Sequence, residues 1–133
     1  MTLRAIPDPP GIAQARTLPA SSYADPAHFE HERRAVFRRG WVCLGVTDEL
    51  PAAGAWSART VGGVPVLVVR DRDGQLRAFL NVCRHRAAPL CQDVGAGPLI
   101  RCPYHSWLYR LDGSLARASG DATAPRREIC SWW

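Results

Sequence analysis

Two short motifs constrain this chain more than anything else in it: Cys83-Arg84-His85 and Cys102-Pro103-Tyr104-His105. Each holds a thiol and an imidazole close together, and residues 86–101 separate the two. Four such side chains read as a metal-ligand set. The chain can use them together only if both segments lie on neighbouring loops. The pairing is mixed, one Cys with one His in each motif. Zinc fingers usually pair like with like, as C-x₂₋₄-C followed by H-x₃₋₅-H.

Two thiolates on one iron and two imidazoles on the other form the ligand set of a Rieske [2Fe–2S] centre. Neutral imidazoles leave that cluster less negative than four thiolates would, so it accepts an electron at a higher potential. The residues leave two alternatives open. One is a Cys₂His₂ zinc site, which uses the same atoms; the other is no metal at all. Arg84, Arg86 and Arg101 beside the ligands point to loops at the surface, not to a dry interior.

The runs Asn81-Val82-Cys83-Arg84-His85-Arg86 and Cys102-Pro103-Tyr104-His105-Ser106-Trp107 resemble the large (α) subunit of Rieske non-haem iron oxygenases. These are the aromatic ring-hydroxylating dioxygenases and their monooxygenase relatives. The resemblance covers residues 18–118, including Phe37-Arg38-Arg39-Gly40-Trp41 and Val61-Gly62-Gly63-Val64-Pro65-Val66. It implies a Rieske-type [2Fe–2S] cofactor held by Cys83, His85, Cys102 and His105, the histidines through Nδ1. It also implies a ferredoxin or flavin reductase as electron donor, a homo-oligomer, and a place in aromatic hydrocarbon catabolism.

In the resembled enzymes the cluster relays electrons to a mononuclear Fe(II). That iron sits in a large following domain, on two histidines and one carboxylate. No histidine follows His105 here, so the iron is expected only in a catalytic domain this chain lacks. No catalytic residue is therefore assigned. The first expectation is an oxygenase α-subunit portion that exchanges electrons but does not oxygenate a substrate. The second is a stand-alone Rieske-type ferredoxin, and the third a structural zinc module.

Five positions depart from the patterns. The oxygenases usually carry Gly where Ala87 and Ser106 stand, and a Cβ there is tolerable only with negative φ or spare room. Respiratory Rieske proteins clamp their two loops with a disulfide where this chain has Ala88 and Tyr104. They also place a serine hydroxyl near a cluster sulfur where this chain has Trp107. Losing that donor predicts a potential toward the low end of the Rieske range of about −150 to +300 mV.

The chain has 17 basic residues, all arginine, against 12 acidic ones. They are spread without a long basic run, which argues against nucleic-acid binding. Cys43, Cys91 and Cys130 remain beyond the ligands. An odd remainder with no disulfide spacing fits a reducing, cytoplasmic setting. Residues 1–20 contain no apolar stretch of signal-peptide type. Val64–Val69, the longest apolar run, is too short to span a membrane.

Pro7, Pro9, Pro10, Gly11 and Pro19 make residues 1–22 an irregular arm. Asp25-Pro26 opens a helix reaching Arg39, with Phe29, Val36 and Phe37 on one face and Gly40 closing it. Strands are expected at Trp41–Val46, Trp56–Val61, Val64–Arg70, Leu76–Val82, Leu99–Arg101, Trp107–Leu111 and Ser114–Leu115. Asp71-Arg72-Asp73-Gly74 and Asp112-Gly113 are hairpin turns. The fold class is thus mainly β: a Rieske-type antiparallel sandwich with cluster-binding loops, preceded by an arm and one α-helix. The divisions are 1–40 for arm and helix, 41–118 for the Rieske domain, and 119–133 for an irregular, truncated tail ending in Trp132 and Trp133.

Overall fold

The computed structural model describes residues 11–119 and 128–130. Pro7, Pro9 and Pro10 of the arm, and Trp132 and Trp133 of the tail, lie outside the described residues.

Two antiparallel sheets form the body. Strands β1 (Ala55–Val61), β2 (Val64–Arg70), β3 (Leu76–Leu80) and β4 (Val94–Ala96) make one, in the order β3-β2-β1-β4. Strands β5 (Ile100–Arg101), β6 (Leu108–Tyr109) and β7 (Leu115–Arg117) make the other, in chain order. One face of the first sheet carries Leu67, Val69 and Phe79. It packs on Ile100, Tyr109 and Leu111, and all six are buried. Full burial of each such apolar side chain contributes about 1.5–3 kcal/mol. The opposite face carries Val61, Val66 and Ala78, which Val42 and Leu44 half cover.

Both expected hairpin turns form. In the first, the Asp71 carboxylate accepts from the backbone N–H groups of Asp73 (2.9 Å) and Gln75 (2.8 Å), and from Arg77 Nε (2.6 Å). Gly74 sits at φ +78°, where a side chain would be strained. Burial alone would raise the Asp71 pKa, but the Arg77 bond and the two backbone donors outweigh it and hold the carboxyl below its usual range. The folded form therefore releases its proton at lower pH than the unfolded chain. The resulting stability is complete above the unfolded value of about 3.9 and fades as pH drops through it toward the folded value. Denaturant titrations at falling pH should show Asp71→Asn losing less stability in acid than the parent chain.

Other parts differ from expectation. Trp41–Val46 alternates as a strand would, but it joins no ladder; it lies extended, with Val42 and Leu44 inward and Trp41 fully exposed. Strand β4 is an addition. Its Gly95 faces the Trp56 ring so closely that a Cβ would lie 2.5 Å from it, so glycine suits packing here despite its poor strand propensity. Strand β3 stops at Leu80, where the chain bends into the first motif.

The helix starts as expected. Asp25 caps it, accepting from Ala27 N–H at 2.8 Å, and Pro26 opens it. The α-helical part of this segment ends at Glu32, and a π-turn continues to Phe37. A short helical turn, Ser21–Ala24, precedes it and begins inside the stretch expected to be irregular. Phe29, Val36 and Phe37 stay exposed. Arg33 and Arg38 tie the segment to the carbonyl of Gly62 at the β1–β2 turn.

Residues 128–130 have no regular secondary structure, but they pack on the body. Ile129 is buried among the core residues, its N–H bonded to Gly113 O at 2.9 Å, and Cys130 O accepts from Leu80 N–H at 2.9 Å. The Ile129 side chain joins the same buried cluster as Phe79 and Leu111.

Candidate metal centre

The two motifs fold into the same loop twice. In the first, Cys83 N–H donates to Ala88 O (2.8 Å) and Cys83 O accepts from Ala87 N–H (3.0 Å). In the second, Cys102 N–H donates to Trp107 O (2.8 Å) and Cys102 O accepts from Ser106 N–H (3.1 Å). The first loop leaves β3 of one sheet, and the second joins β5 to β6 of the other. That places two tight turns side by side at one end of the sandwich.

Such a turn needs a left-handed residue four positions after the cysteine. Ala87 and Ser106 hold φ +56° and +58°. These are the two positions where the oxygenases usually carry glycine, so the alternative of negative φ does not hold and both residues bear strain. A left-handed alanine costs about 1–2 kcal/mol, against a glycine entropy cost of about 0.5–1 kcal/mol. Ala87→Gly should therefore stabilise the chain by roughly 0.5–1 kcal/mol, seen as a higher denaturant midpoint at unchanged slope. Ser106→Gly should gain less, because Ser106 Oγ accepts from Arg101 Nε (3.2 Å) and Nη2 (2.8 Å).

Asn81 fixes the first loop from beneath. Its buried amide donates to Cys91 O (2.8 Å) and accepts from Leu90 N–H (3.1 Å) and Cys91 N–H (3.0 Å). Asn81 stands within the run that carries the resemblance, but the sequence alone gives it no task.

Of the four expected ligands, Cys83 and Cys102 belong to one buried core cluster, and His85 and His105 lie ring against ring. Cys83 and Cys102 are almost fully buried, while His85 and His105 are half-buried. The imidazole centroids lie 4.7 Å apart, edge to face at 69°. His85 stacks on Trp107 at 4.7 Å and 8°, and Tyr104 tilts against His105 at 3.8 Å. Trp107 is buried and Tyr104 exposed, so Trp107 is the one that screens the site.

His105 Nδ1 is buried and has no hydrogen-bond partner among the described residues. A buried imidazole nitrogen without a partner is costly in a finished protein and sensible in a metal ligand. Each of the two equivalent loops contributes one Cys and one His, and His105 Nδ1 is buried without a partner among the described residues; this two-plus-two donor set fits a binuclear cluster with two thiolates on one iron and two imidazoles on the other.

Tyr109 was missed by the sequence reading, which took it only as part of a strand. It is fully buried, its Oη 3.3 Å from Cys83 Sγ and accepting from Arg84 N–H at 3.1 Å. Burial, then the Cys83 contact, push its pKa well above the usual phenol value. Since the phenol keeps its proton and its oxygen already accepts from Arg84, the O–H is available to Cys83 Sγ. Only its position, seven residues after Cys102, hinted at this.

The remaining cysteines are free thiols. Burial pushes the Cys91 thiol up to about 11, so it stays protonated at neutral pH. Cys43 is exposed, and Cys130 Sγ lies 3.2 Å from Arg84 Nη1. No helix among the described residues is long and apolar enough to cross a membrane.

Comparison with known proteins agrees with this geometry. Residues 40–126 match the model of the Rieske [2Fe-2S] domain. The carnitine monooxygenase oxygenase subunit of Escherichia coli (strain K12) is 44% identical over 106 residues, covering 79% of this chain and 28% of that protein. A quaternary ammonium Rieske monooxygenase, CntA, solved with its substrate gamma-butyrobetaine, superposes with a TM-score of 0.79 at 35% identity, over 86% of this chain and 35% of that one. A naphthalene 1,2-dioxygenase with indole bound gives 0.75 at 30%, over 82% and 26%. The chain spans about a quarter of the length of the curated relatives it matches.

Proposed function

The chain belongs to the Rieske [2Fe–2S] domain family, and on that premise we propose that it is the electron-transfer portion of an oxygenase α-subunit. When bound, the cluster takes up and returns one electron. We assign Cys83 and Cys102 to one iron, and His85 and His105 to the other. The observation that carries this reading is the pair of equivalent loops with a buried, partnerless His105 Nδ1. The buried cysteines keep water from the thiolate side. The half-buried imidazoles bring the other side near the surface, where an electron can pass. The role falls to residues 41–118, with 1–40 leading in.

Arg86 and Arg101 are exposed beside the ligands, on a chain of net charge +5. Such a surface suits an acidic electron donor, a ferredoxin or reductase, by raising the encounter rate. For the whole enzyme, the relatives favour a quaternary ammonium substrate of the carnitine kind over the aromatic hydrocarbon expected from the sequence: choline, carnitine and glycine betaine monooxygenases match this chain at 42–44% identity. Specificity would reside in a following domain that holds the mononuclear iron, and the described residues offer no His/His/carboxylate set for it.

Anaerobic iron and sulfide assay followed by redox titration tests the proposal. Two irons, two sulfides and a single one-electron wave between about −150 and +300 mV support it. Stoichiometric zinc, or O₂-dependent oxidation of carnitine by this chain alone, would contradict it.

A further inference from the structure

Trp107 closes the second ligand loop through its carbonyl, and its side chain is buried against His85. The indole Nε1–H can only donate. It is shut off from solvent and meets no acceptor among the described residues. Buried indole N–H groups ordinarily find an acceptor. An added domain or partner cannot supply one, because the nitrogen is already enclosed by this chain. The other partnerless nitrogen of the same loop is His105 Nδ1, two residues earlier. One group would satisfy both: a cluster whose iron would take the imidazole lone pair and whose sulfur would take the indole proton.

We propose that Trp107 Nε1–H donates a hydrogen bond to a sulfur of the cluster. The inference rests on the cluster reading above. A donor at sulfur favours the more negative, reduced form and so raises the potential. Trp107 would then replace the serine donor of respiratory Rieske proteins instead of merely losing it. The potential would lie above the low end expected from the sequence.

The test uses the full chain loaded with its cluster. Trp107→Phe keeps an aromatic ring for His85 and removes the N–H together with the rest of the five-membered ring. The reduction equilibrium should shift about two- to ten-fold toward the oxidised form, roughly 20–60 mV at 59 mV per tenfold for one electron. In the parent chain labelled with indole-¹⁵N tryptophan, electron–nuclear double resonance of the reduced cluster should show a ¹⁵N-bound exchangeable proton. Trp107→Phe should abolish that coupling. A loaded Trp107→Phe protein with unchanged potential overturns the hydrogen bond, leaving a buried water as the acceptor. Should Trp107→Phe fail to hold its cluster, the parent spectrum decides: no ¹⁵N-bound exchangeable proton overturns the proposal. A parent chain that binds no iron–sulfur cluster overturns the underlying reading as well.

Discussion

Replacing both His85 and His105 by cysteine is expected to convert the centre into an all-thiolate one and lower its potential by hundreds of millivolts. The physical cause is charge. Two neutral imidazoles become two anionic thiolates, so the added electron enters a more negative group. Rieske centres span about −150 to +300 mV, and plant-type all-cysteine centres lie near −400 mV. The loops should tolerate the exchange, because their closing hydrogen bonds run through the backbone of Cys83, Ala87, Cys102 and Ser106. Redox titration with optical spectra checks it. A double variant that keeps the parent potential would show that the histidines are not ligands.

The second large effect concerns the chain end. Ile129→Ala should destabilise the chain by about 2–5 kcal/mol, the usual cost of emptying a buried isoleucine site. Ile129 is 3% exposed and sits in the same core as Phe79, Leu111 and Tyr109. Tyr109 in turn contacts Cys83, so the loss should also loosen the first ligand loop. Denaturant unfolding of the loaded protein measures the first effect, and the rate of cluster loss the second. A change under about 0.5 kcal/mol, typical of exposed positions, would mean that residues 128–130 do not pack in solution.

The sequence made the centre legible because ligand chemistry is local. Cys-x-His and Cys-x-x-His name their atoms without reference to the fold, and the Asp-Gly turns likewise carry their own backbone preference. What escaped depends on partners far along the chain. Trp41–Val46 alternates properly, but its Val42 and Leu44 pack on the face of the first sheet, over Val61, Val66 and Ala78, and not along an edge. Strand β4 was invisible because Gly95 and Ala96 are weak strand formers, chosen for closeness to Trp56. The Tyr109 hydroxyl reaches Cys83 across 26 residues, and Ile129 N–H reaches Gly113 across 16. Neither spacing has a local signature. Ala87 and Ser106 are the instructive middle case. The departure from glycine was readable, but the sign of φ that makes it costly was not.

The central claim is that two histidines of this chain ligate one iron of a binuclear cluster. It is most directly tested by ¹⁵N electron–nuclear double resonance on the dithionite-reduced protein labelled with ¹⁵N-histidine. The account predicts two strong, distinct ¹⁵N couplings, one lost in His85→Ala and the other in His105→Ala. A reduced, paramagnetic cluster with no histidine nitrogen coupling would contradict it.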